Sequence, residues 1–140
     1  MASTLPFSLG EDIARGNVDF DTDSFKMMLL TATYTPSQAH DRRDDLTNEV
    51  SGTGYSAGGL ACVVGSVSRA SGVTSVNFND VVWSAPVNGF TARYGVIYKA
   101  RGGAASADEI VATVDFGSGV AANGTSYTVD LTSALTITVP

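Results

Sequence analysis

From residue 25 onward the hydrophobic positions recur mainly at every second residue, the period of a strand with one buried face. Phe90, Ala92, Tyr94, Val96 and Tyr98 alternate with Thr91, Arg93, Gly95, Ile97 and Lys99. Ile110, Ala112, Val114 and Phe116 alternate with Glu109, Val111, Thr113 and Asp115, and Tyr127, Val129 and Leu131 share one face. Leu135, Ile137 and Val139 close the chain between threonines. Residues 25–34 are apolar at nearly every position, which predicts a strand covered on both faces. Residues 60–69 read as one long strand, Val76 and Phe78 mark another, and Val81-Val82-Trp83 a further one. Asn88-Gly89 and Asn123-Gly124 are type I′ hairpin signals.

Before this β grammar begins, residues 7–15 read as a short helix. Ser8 and Glu11 have capping-box spacing, Leu9 and Ile13 share one face, and Gly16 is placed to take the left-handed position after the last turn. So short a helix must pack on something else. The pattern predicts an all-β fold, an antiparallel β-sandwich with jelly-roll-like arrangements included, and one short N-terminal helix. Residues 1–140 read as a single domain, with 1–17 as an N-terminal arm. Phe90, Tyr94, Val96, Ile110, Val114, Tyr127, Val129, Leu135 and Ile137 are expected to face one inter-sheet core.

Length and charge narrow the picture. A chain of 140 residues hides about two-thirds of its surface on folding, enough for one core. A net charge of −6 argues against a nucleic-acid backbone as partner, which needs a cationic footprint. A single cysteine, Cys62, forms no internal disulfide and no thiolate metal cluster, and reads as a small buried hydrophobe. No apolar run is long enough to span a membrane, and the first residues lack the basic and apolar regions of a secretion signal.

Candidate chemistry is sparse. Gly54-Tyr55-Ser56-Ala57-Gly58 matches a nucleophile elbow, but that device needs a following helix, and the segment after it reads as a strand. The one available base, His40, sits in a charge-dense stretch, residues 40–48, that reads as a surface loop with a helical turn. Gly52, Gly54 and Ala57 form a degenerate dinucleotide fingerprint whose flanks do not fit. Asp19, Asp21 and Asp23 occupy the first ligand positions of a calcium loop, but Ser24 and Leu30 stand where glycine and glutamate are required. These carboxylates read as a solvated turn, and Trp83 reads as core. No catalytic, cofactor-binding or metal-binding residue is assigned. Arg42 and Arg43 are candidates for gripping a partner's carboxylates. Pro6, Phe7, Leu9 and Ile13 give the N-terminal arm enough apolar surface to serve as an attachment element as well as a lid.

Two blocks of sequence carry a resemblance. The first contains Asp21-Thr22-Asp23-Ser24-Phe25-Lys26-Met27-Met28-Leu29, Tyr34-Thr35-Pro36, Arg43-Asp44-Asp45, Thr47-Asn48-Glu49-Val50-Ser51-Gly52-Thr53-Gly54-Tyr55 and Gly58-Gly59. The second contains Val82-Trp83-Ser84 and Ala92-Arg93-Tyr94-Gly95-Val96-Ile97-Tyr98-Lys99. In this order they resemble a family of tailed-bacteriophage virion structural proteins. The resemblance implies a non-enzymatic component of the virion, in the first place a capsid decoration (cement) protein on the capsid surface, made in the bacterial host cytoplasm. It implies the major capsid protein and further copies of itself, as a homo-trimer, as partners, with no cofactor. A tail, head-to-tail or host-attachment component is the alternative within the same class.

Overall fold

The computed structural model describes residues 2–84, 89–131 and 135–138. Ten strands and one α-helix are found among them: β1 (Ala2–Thr4), α1 (Leu9–Ala14), β2 (Phe25–Leu30), β3 (Leu60–Ala61), β4 (Val64–Ala70), β5 (Val73–Phe78), β6 (Val81–Ser84), β7 (Thr91–Lys99), β8 (Ile110–Ala121), β9 (Ser126–Val129) and β10 (Leu135–Thr138). A five-stranded sheet runs β1-β8-β7-β2-β3, a three-stranded sheet β10-β5-β4, and a two-stranded sheet β6-β9. All pairings are antiparallel. The fold is therefore all-β and sandwich-like with one short helix, as the alternation of residues predicts.

The unbroken apolar run of β2 has a direct structural cause. Phe25, Met27 and Leu29 enter the larger core with Val76, Trp83, Phe90, Val114 and Tyr127. Met28 and Leu30, on the opposite face, pack with Tyr34, Tyr94, Val96, Tyr98 and Ile110 in a second cluster. The central sheet is thus covered on both sides.

This arrangement corrects the single inter-sheet core expected from the alternation. Phe90, Val114, Tyr127, Val129 and Leu135 do share the larger core, with Ile137 packed against it, but Tyr94, Val96 and Ile110 face the other way. The cause is two slips in the β7–β8 register, one between Ala92 and Tyr94 and one between Ile97 and Tyr98. At the first slip Ala92 opposes Val120 while Tyr94 opposes Asp115, so residues 116–119 of β8 stand against Arg93 alone, an excess of about three residues. At the second, Val111 is the extra residue. An odd number of inserted residues on one strand swaps which parity faces inward.

Three local readings also change. Residues 60–69 are not one strand. The chain pairs β3 with β2, passes Cys62 and Val63, and enters the other sheet as β4. The two-residue hairpin lies at Ser71-Gly72, where both residues have positive φ (46° and 84°) between the paired Ala70 and Val73, as a type I′ turn requires. Asn123-Gly124 instead leads from β8, which pairs with β7, to β9, which pairs with β6. Asn88 and Val139 lie outside the described residues.

At the helix, Gly16 takes φ 74° and ends α1 as expected. Its N–H donates to Ile13 O (3.0 Å) and that of Asn17 to Asp12 O (2.7 Å), the paired bonds of a Schellman motif. The capping box does not form. Ser8 itself has helical φ and ψ (−73°, −18°), which turns its hydroxyl from the first turn. Glu11 pairs instead with Arg15 at 2.7 Å.

Candidate functional site

The glycine loop that follows residue 51 is a structural clamp. Glu49 Oε1 accepts from Tyr55 Oη (2.7 Å) and from the Gly58 N–H (2.6 Å). The Leu29 N–H donates to Tyr55 Oη (3.1 Å), and Tyr98 Oη donates to Gly58 O (2.6 Å). Gly59, at φ 77°, lies so close to β2 that a Cβ there would fall 1.7 Å from Met27 O. The glycines let the loop seat on the sheet, and the segment after it enters β3 rather than the helix that a phosphate cradle or a nucleophile elbow requires. Burial, opposed in part by the Leu29 N–H and reinforced by Glu49, pushes the Tyr55 hydroxyl pKa far up. Ser56 is exposed, while His40 Nδ1 is engaged with Tyr34 Oη at 2.7 Å.

The other candidate groups are also committed. Asp19 Oδ1 accepts from the Asp21 N–H (2.9 Å), which holds the Asp19 carboxyl below the usual carboxylate range. Asp23 accepts from the Asp19 N–H (2.8 Å) and pairs with Lys99 at 2.8 Å. Among the described residues no group of three or more His, Cys, Asp or Glu is placed to hold a metal ion. Cys62 is buried in the larger core, and burial pushes its thiol up to about 12. Trp83 is core, stacked near Tyr55 (6.3 Å) and edge-on to Tyr127 (6.1 Å).

Arg42 and Arg43 turn inward. Arg42 Nη1 lies 3.3 Å from the buried Asp12 on α1. Arg43 Nε lies 2.7 Å from Asp108, whose side chain is only 2% exposed, and its guanidinium stands 5.2 Å over the Tyr98 ring. Arg101 makes the third such pair, 2.6 Å from the buried Glu109. Backbone bonds Arg43 N–H to Asp108 O (2.9 Å) and Ile110 N–H to Asp41 O (3.0 Å) lay residues 41–43 alongside 108–110. Together these contacts lock the helix, the 41–45 turn and the 99–109 segment into one end of the molecule. Sequence alone missed the carboxylates, because Asp12 lies 30 positions from Arg42 and Asp108 lies 65 from Arg43.

Of the arm residues, Pro6 and Leu9 are buried, Leu9 within the larger core, and Ile13 is half-buried against it. Phe7 stands out at 76% exposure, although its N–H is tied to Gln38 O at 2.9 Å. The arm is thus built into the fold through Leu9 and Asp12, and Phe7 is its outward-facing apolar group.

The surface that sequence reasoning did not single out is β4. It is an edge strand, exposed from Gly65 to Ala70, and Val67 on it is 44% exposed. Beside it runs a groove of about 370 Å³, lined by Phe20, Asp21, Asp23, Val63, Gly65 and Val67 among others. The available signal was Ser71-Gly72, which would have folded residues 64–70 into an outer hairpin arm.

Arg93 and Asp115 form a bidentate pair across β7 and β8, at 2.7 and 3.2 Å. That guanidinium, helped by the Gly117 N–H and opposed slightly by burial, holds the Asp115 carboxyl below the usual carboxylate range. Because the folded value is depressed, the stabilisation is present above about pH 4 and is lost as pH falls through the lowered value. The drop in melting temperature between neutral pH and about pH 2.5 should be smaller in Arg93→Met than in the native chain. The difference should also shrink at high salt, since the pair is partly exposed.

Family models, curated proteins and solved structures were each searched with the chain, and none matches it.

Proposed function

We propose that the protein is a non-enzymatic structural component of a tailed-bacteriophage virion, a capsid decoration protein that bridges and stabilises major capsid protein subunits. The observation that supports this reading is that the two phage-like sequence blocks form one contiguous scaffold. Residues of the first, Phe25 to Leu29 on β2, pair with residues of the second, Gly95 to Lys99 on β7. Arg43 lies over Tyr98, Tyr98 bonds Gly58, Asp23 pairs with Lys99, and Tyr55 stacks near Trp83. The resembling residues of the two blocks thus lie side by side in one framework.

Physical chemistry is compatible with that role. A shell packed with nucleic acid is under outward pressure, and a cement protein resists it by spanning neighbouring subunits. The task calls for a stiff small fold with contact area, about 1,600 Å² for a standard interface. An acidic subunit also avoids the viral nucleic acid during assembly.

Copy number tests the reading. Quantitative staining or mass spectrometry of purified particles should find this chain in a fixed ratio of the same order as the major capsid protein. Stripping it should lower the temperature at which the shell opens. A few copies per particle, retained with isolated tails, would replace decoration by a tail or attachment role, and absence from particles would reject the class.

A further inference from the structure

We propose that two copies of this chain join through the outer edge of β4, antiparallel about a two-fold axis at Val67, each delivering Arg69 to the Asp21 side of the other's groove. The proposal rests on the edge itself and stands apart from the virion reading.

The backbone geometry comes first. In the two-residue hairpin at Ser71-Gly72, Ala70 and Val73 flank the turn, so Ala70, Ser68 and Ser66 direct their backbone groups toward β5. The N–H and C=O groups of Val67 and Arg69 therefore point to the opposite edge, where no described strand pairs with them. Such an edge is a template for another strand unless it is blocked. Here neither lysine nor proline blocks it, and the bulge between Val64 and Ser66 affects only one end.

The side chains select the occupant. Val67 lies opposite the fully buried Val76, which places it on the core side of the sheet, yet it remains 44% exposed where β4 overhangs the groove. Pairing two β4 strands on Val67 sets Ser66 against Ser68 and Gly65 against Arg69, so small residues meet throughout. Arg69 is the one charged residue of the strand and joins no ion pair among the described residues. Gly65 lines the groove that also carries Asp21 and Asp23. An antiparallel copy thus brings its free cation to an acidic wall beside a residue with no side chain. Because the same patch serves both partners, the contact closes as a dimer. The trimer implied by the resemblance would need a second, different surface.

Sedimentation equilibrium on the native chain should show a reversible dimer. Arg69→Glu should weaken it about tenfold or more, since like charges then face each other, without changing the melting temperature at dilutions where the native chain is monomeric. Arg69→Glu combined with Asp21→Arg should restore it. Val67→Cys should form a disulfide-linked dimer under mild oxidation, because directly opposed residues lie about 5.5 Å apart between Cα atoms, within disulfide range. The buried Cys62 should not compete. A native chain that stays monomeric overturns the proposal. So does a dimer that survives Arg69→Glu unchanged while Val67→Cys fails to cross-link, which would place the contact on another face.

Discussion

Val96→Asp and Val114→Asp should each abolish soluble, folded protein. Val96 is fully buried among Met28, Tyr94, Tyr98 and Ile110, and Val114 is buried in the larger core. An unpaired carboxylate in either place costs several kcal/mol, against a total stability of about 5–15 kcal/mol for a typical domain. Expression in the soluble fraction and circular dichroism would check this, and wild-type melting by both variants would refute the burial assignment. The gentler pair, Val96→Ala and Val114→Ala, tests the two-cluster arrangement directly. Each should lose about 2–3 kcal/mol from missing methyl groups and residual cavity. The two side chains point to opposite faces of one sheet and share no cluster, so the double variant should equal their sum within about 0.5 kcal/mol. Strong coupling in chemical denaturation would mean that a single core contains both.

Removing the Arg43 side chain should be almost as damaging, although the residue is partly exposed. Arg43→Ala removes the ion pair of the buried Asp108 carboxylate and leaves it the Arg101 N–H, at 3.0 Å, and the more distant charge of Arg101. Breaking a buried pair from one side costs about 3–5 kcal/mol. The expected fall in melting temperature is on the order of 10 °C for a chain of this length. Adding Asp108→Asn should recover a good part of the loss, because the neutral amide still accepts from Arg101 N–H and needs no cation. An arginine reserved for gripping a partner would behave otherwise: Arg43→Ala would then melt like the native chain and lose only binding.

That contrast marks how far the residues could be read by themselves. The alternation of β7 and β8, the two-sided burial of β2 and the glycine stop of α1 are local facts, written in neighbouring residues. They were legible for that reason. Which face Tyr94 or Val96 takes depends on slips in register with β8, and the signal for the larger slip, Gly117 and Gly119 inside the strand pattern, stands on the neighbouring strand rather than beside those residues. The departure of β4 from β3 at Cys62 and Val63 is likewise decided by which sheets stand ready to receive each strand. Arg42 and Arg43 read as groups for a partner's carboxylates, whereas each pairs here with a buried carboxylate of this chain that lies far along it. The exposed edge of β4 went unnoticed because an edge is defined by the strand that is missing beside it.

The order of strands also has a temporal meaning. Ala2 pairs with Asp115, Lys26 with Tyr98, Val81 with Val129 and Leu135 with Val76, whereas β4 and β5 are joined by a two-residue turn. During synthesis the β4–β5 hairpin can close early, before β7 and β8 are made. β1 must wait for β8, more than a hundred residues later, and the sheet beneath the hairpin lacks its partner β10 until Leu135 emerges. Folding dominated by such distant pairings belongs to the slow, millisecond-to-second class. The chain therefore spends its vulnerable interval with an exposed, nearly uncharged hairpin already formed, and its yield in the cell should depend on how quickly β10 emerges to pair with β5.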